Sequence, residues 1–189
     1  AVSSVGQIHL MRSFKNAFEQ NEIKISQILL TLDDTEQRRR SINARRTIDT
    51  LLKLGIVPVV NENDTIATTE IRYGDNDRLA SRVAQISSSD CLILLSNING
   101  LYSADPTNGE DIKLIPTVNE IDQDIEKMIG ESISEYGKGG MKTKIQAAKT
   151  AMLSGCHLAI TNGSIMKPIR SLFEGRPCTW FEPNKSPMA

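Results

Sequence analysis

The sequence is poor in aromatic residues and has almost no net charge. Aromatic side chains make up 4% of the 189 residues, and 22 lysines and arginines stand against 23 aspartates and glutamates, for a net charge of −1. Nucleic-acid-binding domains typically combine a basic excess with aromatic side chains that stack on bases. The composition therefore argues against a nucleic-acid binder and favours an ordinary globular protein.

Cysteine and histidine are also scarce. The cysteines, Cys91, Cys156 and Cys178, form no Cys-x-x-Cys pair, and an odd number at this spacing fits neither a disulfide framework nor a zinc site. We expect reduced, structural thiols in a cytoplasmic protein. The two histidines, His9 and His157, join no visible Ser/His/Asp or Cys/His set, which disfavours nucleophilic hydrolysis.

No apolar run approaches the ~20 residues needed to cross a bilayer, and no basic-then-apolar leader opens the chain, so we expect no membrane partner. The sequence begins directly in a helix-like apolar stripe, residues 2–18, expected to be core or an oligomer interface. Two prolines in residues 183–189 indicate a linker. We therefore expect one domain over residues 1–182, cut at its front, with the linker leading to an absent C-terminal domain.

Short apolar runs indicate buried strands, because they are apolar at nearly every position and too short for helices. They lie at residues 25–30, 56–60, 91–95 and 157–160, with a last strand at 178–181. Helical patterns fall between them, at 34–54, 77–88, 120–129, 143–154 and 166–173. This alternation predicts an α/β fold, a three-layer αβα sandwich with a mainly parallel central sheet.

The helix of residues 34–54 has recognisable ends. Asp33 or Asp34 is its expected N-cap, and Gly55 its expected end, as Gly155 is for residues 143–154. Five arginines are expected on a solvated or subunit-facing surface of this helix: Arg38, Arg39, Arg40, Arg45 and Arg46.

Polar residues follow three of the predicted strands. They are Asn61-Glu62-Asn63-Asp64, Ser96-Asn97-Ile98-Asn99-Gly100 and Thr161-Asn162-Gly163-Ser164. Ligands of open α/β sheets collect where the carboxyl ends of strands meet. Asp64 and the later Asp75-Asn76-Asp77 can hold the charged groups of an amino acid or order magnesium-bound water, or can serve as turns and a helix N-cap.

A segment rich in glycine and lysine, Gly137-Lys138-Gly139-Gly140-Met141-Lys142-Thr143-Lys144, precedes the helix of residues 143–154. Glycines let backbone N–H groups approach a ligand closely, and a helix start favours anions. The segment is neither a Walker A loop nor a dinucleotide motif. It predicts a triphosphate site, with a flexible solvated loop as the alternative.

Together with Leu94-Leu95-Ser96-Asn97 and Gly100-Leu101-Tyr102, these segments resemble the glutamate 5-kinases of the amino-acid kinase family. The resemblance covers nearly the whole chain. It implies the amino-acid kinase fold, a three-layer αβα sandwich. It also implies the ATP-dependent phosphorylation of the L-glutamate γ-carboxylate, the first step of proline biosynthesis. ATP would enter with Mg²⁺ on its phosphates, with no metal held by protein ligands alone, and the protein would be a homo-oligomer.

The resemblance also implies roles for single residues of the glutamate pocket. Asp64 and Asn76 match glutamate-binding positions, and Asp75 and Asp77 match acidic neighbours in the same pocket.

For the nucleotide, Ser96 and Asn97 match a contacting pair, in which Asn97 stands where the family commonly has aspartate. The remaining nucleotide contacts would come from Lys138, Gly139, Gly140, Met141, Lys142, Thr143 and Lys144. Lys144 matches the catalytic lysine that reaches the transferring phosphate.

The family's first strand, with its Lys-x-Gly motif, and the following Ser-Gly-Ala segment have no match here, so a central strand of the sheet is expected to be missing. Two other functions stay open. The first alternative is a non-catalytic amino-acid- or nucleotide-binding fragment. The second is a sister amino-acid kinase with another substrate.

Overall fold

The computed structural model describes residues 2–66, 75–104, 112–126 and 138–184. The chain divides into two compact units, Ala1–Leu79 and Ala80–Ala189. Within the described ranges, no helix is both long enough and apolar enough to cross a bilayer.

The first unit contains a two-stranded parallel sheet. Its elements are α1 (Val2–Glu19), β1 (Lys24–Leu30), α2 (Leu32–Glu36), α3 (Arg38–Lys53), β2 (Ile56–Glu62) and the start of α4 (Asn76–Ile86). β1 and β2 pair in register from Lys24 with Ile56 to Leu30 with Glu62. Because the pairing is parallel, both strands end at the same edge of the sheet.

The helix expected at residues 34–54 is two helices, broken at Gln37, whose backbone is extended (φ −74°, ψ 118°). The N-cap of α2 is Thr31, so the expectation of Asp33 or Asp34 was wrong. Asp34 is instead the N3 residue of the capping box, three positions after Thr31. Its carboxylate accepts hydrogen bonds from the Thr31 backbone N–H (2.8 Å) and hydroxyl (2.7 Å). The carboxylate reaching back to Thr31 fixes the helix start.

Helix α1 is on the surface. Val5 and Ile8 are 60% and 70% exposed, and Phe14, which packs near Phe18, is 38% exposed. The expectation that this stripe is core was therefore wrong for Val5, Ile8 and Phe14, whereas Met11 and Phe18 are half-buried. The alternative of an oligomer interface stays a prediction.

The second unit contains a four-stranded mixed sheet. Its elements, after the rest of α4, are β3 (Cys91–Ser96), β4 (Thr117–Val118), α5 (Lys138–Leu153), β5 (His157–Asn162), α6 (Pro168–Phe173) and β6 (Cys178–Phe181). The strand order is β3-β5-β6-β4. β3 pairs parallel to β5 and β4 parallel to β6, while β5 and β6 are antiparallel.

The five predicted strands are confirmed, and the two-residue strand β4 adds to them. Three of the four strand pairings are parallel, which confirms an α/β fold with mainly parallel pairing. The strands described here form two sheets, whereas one central sheet was expected.

The start of α5 bears on the site. The helix begins at Lys138, five residues before the expected start, so the segment expected to be a loop forms the first turns of the helix.

Gly55 and Gly155 follow α3 and α5 with φ of 70° and 81°, the left-handed conformation expected of helix ends. Of the helix expected at 120–129, residues 123–126 are helical and the remainder from 127 lies outside the described ranges.

The core of the second unit lies between α5 and the sheet. Leu158, Ile160 and Phe181 are fully buried against three alanines of α5: Ala147, Ala148 and Ala151. Small side chains let the helix lie close to β5.

Cys156 is buried in the same core, and burial, with smaller effects from Cys91 and Asp90, raises the pKa of its thiol to about 11. It is therefore a protonated, structural thiol at neutral pH. All three cysteines lie in the described ranges, and none is paired.

Thr179 of β6 joins three segments of the second unit. Its buried hydroxyl accepts the Leu101 N–H (2.8 Å) and donates to the Ile115 carbonyl (2.7 Å). Gly100 lies against it so closely that a Cβ there would be 2.3 Å from the Thr179 Oγ1. The segment after β3 is therefore fixed to β6 by one side chain.

We expect Thr179→Val to lower the free energy of unfolding by about 2–4 kcal/mol, because it leaves a buried N–H and a buried carbonyl without partners. Thr179→Ser keeps the hydroxyl and loses one methyl group, so it should cost only about 1 kcal/mol. Urea unfolding of both variants measures the difference. A valine variant as stable as the serine variant would contradict this role.

Candidate functional site

In the first unit, the ends of β1 and β2 form a buried polar edge. The Asn63 N–H donates to the Leu30 carbonyl (2.9 Å), which extends the parallel pairing beyond the last strand residues. Thr31 and Glu62 are 4% and 7% exposed. Hydrogen-bonded polar groups are thus built into this edge, as buried polar groups must be.

Asp34 is a partly buried charged group of this edge. Partial burial alone would raise the pKa of its carboxyl, but the two hydrogen bonds from Thr31 and the positive charge of Arg40 outweigh burial and lower the pKa. The Arg40 Nη1 lies 3.3 Å from the Asp34 Oδ1. A pair six residues apart would face different sides of one continuous helix, so the break at Gln37 makes this contact possible.

The four residues expected to bind glutamate lie in the first unit. Asp64 follows Asn63 in the turn after β2 and is half-buried. Asp75 caps α4, since its Oδ1 accepts the Asp77 N–H (2.6 Å), which confirms the capping alternative for this residue. Asn76 is the exposed first residue of α4. Between Asp64 and Asp75, Thr65 and Ile66 are described, whereas residues 67–74 lie outside the described ranges.

In the second unit, Ser96 and Asn97 lie where β3 ends. Ser96 pairs with Asn162 of β5, and its carbonyl accepts the Gly163 N–H (2.7 Å). The Ser96 hydroxyl donates to the Asn97 Oδ1 (3.3 Å), and Asn97 is exposed. The predicted nucleotide pair therefore lies at the carboxyl end of β3, at the edge of the sheet where β3 and β5 both end.

The connection between α5 and β5 indicates where helix α5 begins. α5 packs on β5 and is joined to its start by the turn at Gly155, so helix and strand run in opposite directions. A helix of 16 residues and a strand of six have similar lengths, about 24 and 20 Å. From these lengths we expect the N-terminus of α5, with Lys138–Lys144, near the carboxyl ends of β3 and β5.

Gly140 lies in the first turn of α5. A Cβ at this position would meet no atom of the described residues within 4 Å, so packing among them does not require a glycine there. Glycine is about 1 kcal/mol worse than alanine within a helix. The bare backbone instead leaves the start of α5 accessible to a ligand. Lys142 on this stretch is exposed and Lys144 is half-buried.

Three further polar residues belong to this edge: Asn99, Tyr102 and Asn162. The Asn162 Nδ2 donates to the Asn99 Oδ1 (3.3 Å), and the Asn99 Nδ2 donates to the Tyr102 hydroxyl (3.2 Å). The sequence marks both strand ends as polar, but it does not show that they contact each other. Within the described part of the chain, no group of three or more His, Cys, Asp or Glu side chains is placed to hold a metal ion.

The family model that matches residues 1–162 is described as the amino acid kinase family. Because the match extends over most of the sequence, the chain belongs to the amino acid kinase family.

Two curated relatives are named glutamate 5-kinase. The protein of Pelagibacter ubique is 61% identical over 186 residues, and that of Paramagnetospirillum magneticum is 53% identical over 187 residues. These matches cover 98% and 99% of this chain and 50% of each relative. The chain thus spans about half the length of the curated relatives it matches.

Solved structures show the same fold. UMP kinase from Ureaplasma parvum superimposes with a TM-score of 0.61 at 13% identity, covering 90% of this chain and 65% of the other. Isopentenyl phosphate kinase from T. acidophilum gives 0.58 at 15% identity, covering 95% and 72%. At identities this low, such superpositions establish the fold alone. They confirm the amino-acid kinase fold predicted from the sequence.

Removing the Asp34 carboxylate should change how stability depends on pH. A lowered pKa means that the ionised carboxylate stabilises the folded state above its ordinary pKa of 3.8, and that this is lost as the pH falls below that value. We expect Asp34→Ala to cost about 1 kcal/mol at pH 7 and progressively less from pH 5 to pH 2. Denaturant unfolding across this range measures the difference, with Asp33→Ala as the matched control. A pH-independent cost would contradict the assignment.

Gly140→Ala should have opposite effects on folding and on nucleotide binding. Since a Cβ meets open space, the alanine should stabilise the protein by about 1 kcal/mol. If phosphate groups approach this backbone, the same methyl group should weaken ATP binding severalfold. Thermal unfolding and calorimetric titration with Mg·ATP test the two effects. Unchanged ATP affinity would show that the ligand does not approach Gly140.

Proposed function

We propose that this chain takes part in the transfer of a phosphoryl group from ATP to the γ-carboxylate of L-glutamate. Two relatives named glutamate 5-kinase, 61% and 53% identical over nearly the whole chain, support the substrate. The observation that carries the proposal is that Ser96, at the end of β3, pairs with Asn162 of β5, and that α5, similar in length to β5, directly precedes that strand.

The chemistry needs charge neutralisation more than proton transfer. An oxygen of the γ-carboxylate, already ionised at neutral pH, attacks the γ-phosphorus, the bond to the β,γ-bridging oxygen breaks, and ADP leaves. No general base is required. The barrier lies in bringing two anions together, and Lys144 with the free N–H groups of the α5 N-terminus would offset that charge. Mg²⁺ enters bound to the phosphates of its substrate ATP.

The nucleotide would occupy the second unit's edge. Ser96 and Asn97 offer hydroxyl and carboxamide groups to it, and Lys138–Lys144 would hold the phosphates. The bare backbone at Gly140 supports this role, because it leaves the N–H groups of the helix start accessible.

Glutamate would be held by residues of the first unit. Asp64 and Asn76 would bind its ammonium and carboxylate groups, with Asp75 and Asp77 beside them. The Oδ1 of Asp75 is already used by the α4 cap, so we assign Asp75 a supporting part, through the position of Asn76.

The proposal includes self-association and a cytoplasmic location. The exposed apolar side chains of α1, such as Val5 and Ile8, support a homo-oligomer, because apolar surface of this kind favours burial. Three unpaired cysteines support a reducing compartment. We propose no membrane or nucleic-acid partner for this domain.

Two other functions compete with this one. A non-catalytic binding fragment would bind glutamate or ATP without turnover, and it is kept because the chain spans only half of its relatives. A sister kinase would turn over another acid, such as uridylate or aspartate. Calorimetry with glutamate and ATP on the chain, followed by a panel of acceptors, separates the three.

The direct test traps the acyl phosphate as a hydroxamate in the native protein that carries this sequence. We expect product only with both glutamate and ATP. Lys144→Ala should lower kcat by about 10²–10³ with a much smaller effect on glutamate binding, because the lysine acts on charge that develops during transfer.

Lys149→Ala is the matched control for this test. It removes a cation from the same helix, five residues further on, where Lys149 pairs with Glu126. Its activity should stay within about twofold of the unmodified protein, since an exposed ion pair contributes little. A folded protein that forms no hydroxamate would refute the kinase proposal.

A further inference from the structure

The turn after β5 holds the segment after β3 at two points. The Gly163 N–H donates to the Ser96 carbonyl (2.7 Å), and the Asn162 side chain donates to the Asn99 Oδ1 (3.3 Å). These contacts lie on either side of Asn97, the exposed member of the predicted nucleotide pair. The position of Asn97 thus depends on residues 65 or more positions later in the chain.

The turn after β5 is itself fixed. The Asn162 Oδ1 accepts the Ser164 N–H (2.9 Å), which holds the carboxamide with its amino group toward Asn99. A Cβ on Gly163 would lie 2.8 Å from the Leu95 Cβ, so the turn is packed closely on the end of β3. Asn162 is therefore a preorganised donor rather than a freely rotating surface amide.

Asn99 is also hydrogen-bonded to a residue further along the same segment. Its amino group donates to the Tyr102 hydroxyl (3.2 Å), and Tyr102 forms an isolated bridge with Leu114. The chain from Asn97 to Tyr102 thus has a defined side-chain hydrogen bond in its middle and a backbone contact at its end. We name the three side chains Asn162, Asn99 and Tyr102 the amide relay.

We propose that Asn162 is a positioning residue for the nucleotide, acting through Asn99 to fix the Ser96–Asn97 pair in its binding conformation. This inference rests on the proposed function, because it takes Ser96 and Asn97 as nucleotide contacts. Its physical basis is preorganisation. A binding segment that is already ordered loses less conformational freedom when the ligand binds.

The first measurement needs no ligand. Asn162→Ala should increase hydrogen exchange of the amides in residues 97–100 at least severalfold, while the amides of β5 and β6 keep their protection. Met166→Ala is the control, because Met166 lies in the same loop, is 87% exposed and takes no part in the relay. Unchanged exchange at 97–100 in Asn162→Ala would overturn the inference.

The second measurement is titration of the chain with Mg·ATP and, separately, with glutamate. Loss of one hydrogen bond that orders the site should raise the Kd for ATP about fivefold to tenfold and leave the Kd for glutamate unchanged. A purely structural role would weaken both ligands together and lower the melting temperature. Equal affinities for ATP in Asn162→Ala and the unmodified chain would also overturn the inference.

Tyr102→Phe provides a second variant should Asn162→Ala fail to fold. It removes only the hydroxyl at the end of the relay, so exchange and the Kd for ATP should change in the same direction by a smaller factor. No change in either would overturn the inference. If the unmodified chain binds no ATP, the proposed nucleotide site fails, while the exchange measurement still decides whether Asn162 orders the segment.

Discussion

Parallel pairing of neighbouring strands is the constraint on which the candidate site depends. In a parallel pair both strands finish at the same edge, so the chain must place two loops side by side wherever two such strands end. The register of β3 with β5 puts Ser96 opposite Asn162, and the register of β1 with β2 puts Leu30 opposite Glu62. The polar side chains of each edge come from the last residues of the strands, such as Ser96 and Asn162, and from the residues that follow them.

The strands and most helix ends could be predicted because they depend on local sequence. The run Cys91–Leu95 is bounded by Asp90 and Ser96, so its limits are visible without a structure. Strand β4 has only two residues and depends on pairing with Trp180 and Phe181, which no local pattern shows. The start of α2 was missed because Thr31, Asp33 and Asp34 are all good capping residues. Only the carboxylate of Asp34 reaching back to Thr31 decides among them.

The candidate site could be predicted in part for the same reason. The polar stretch 96–100 and the glycine-lysine segment were identified from residue type and position relative to predicted elements, whereas the family resemblance singled out Ser96 and Asn97 as the nucleotide pair. The segment proved helical where a loop was expected, because buried residues such as Ile145 and Ala148 stabilise α5 beyond the cost of its glycines. The contact between Asn99 and Asn162 joins residues 63 positions apart, and it follows from the register of β3 with β5. Composition and spacing contain no information on that register.

The two edges also differ in charge, and this difference agrees with the division of substrates in the proposal. The described residues at the first edge include Asp33, Asp34, Glu62 and Asp64, with Arg40 on Asp34. At the second edge the groups are hydroxyls, carboxamides, and the lysines of α5. A triphosphate would be repelled by the first set and attracted to the second, whereas an ammonium group suits the first. The described side chains thus include more carboxylates at the first edge and more lysines at the second, which agrees with the proposed binding of ATP at the second edge.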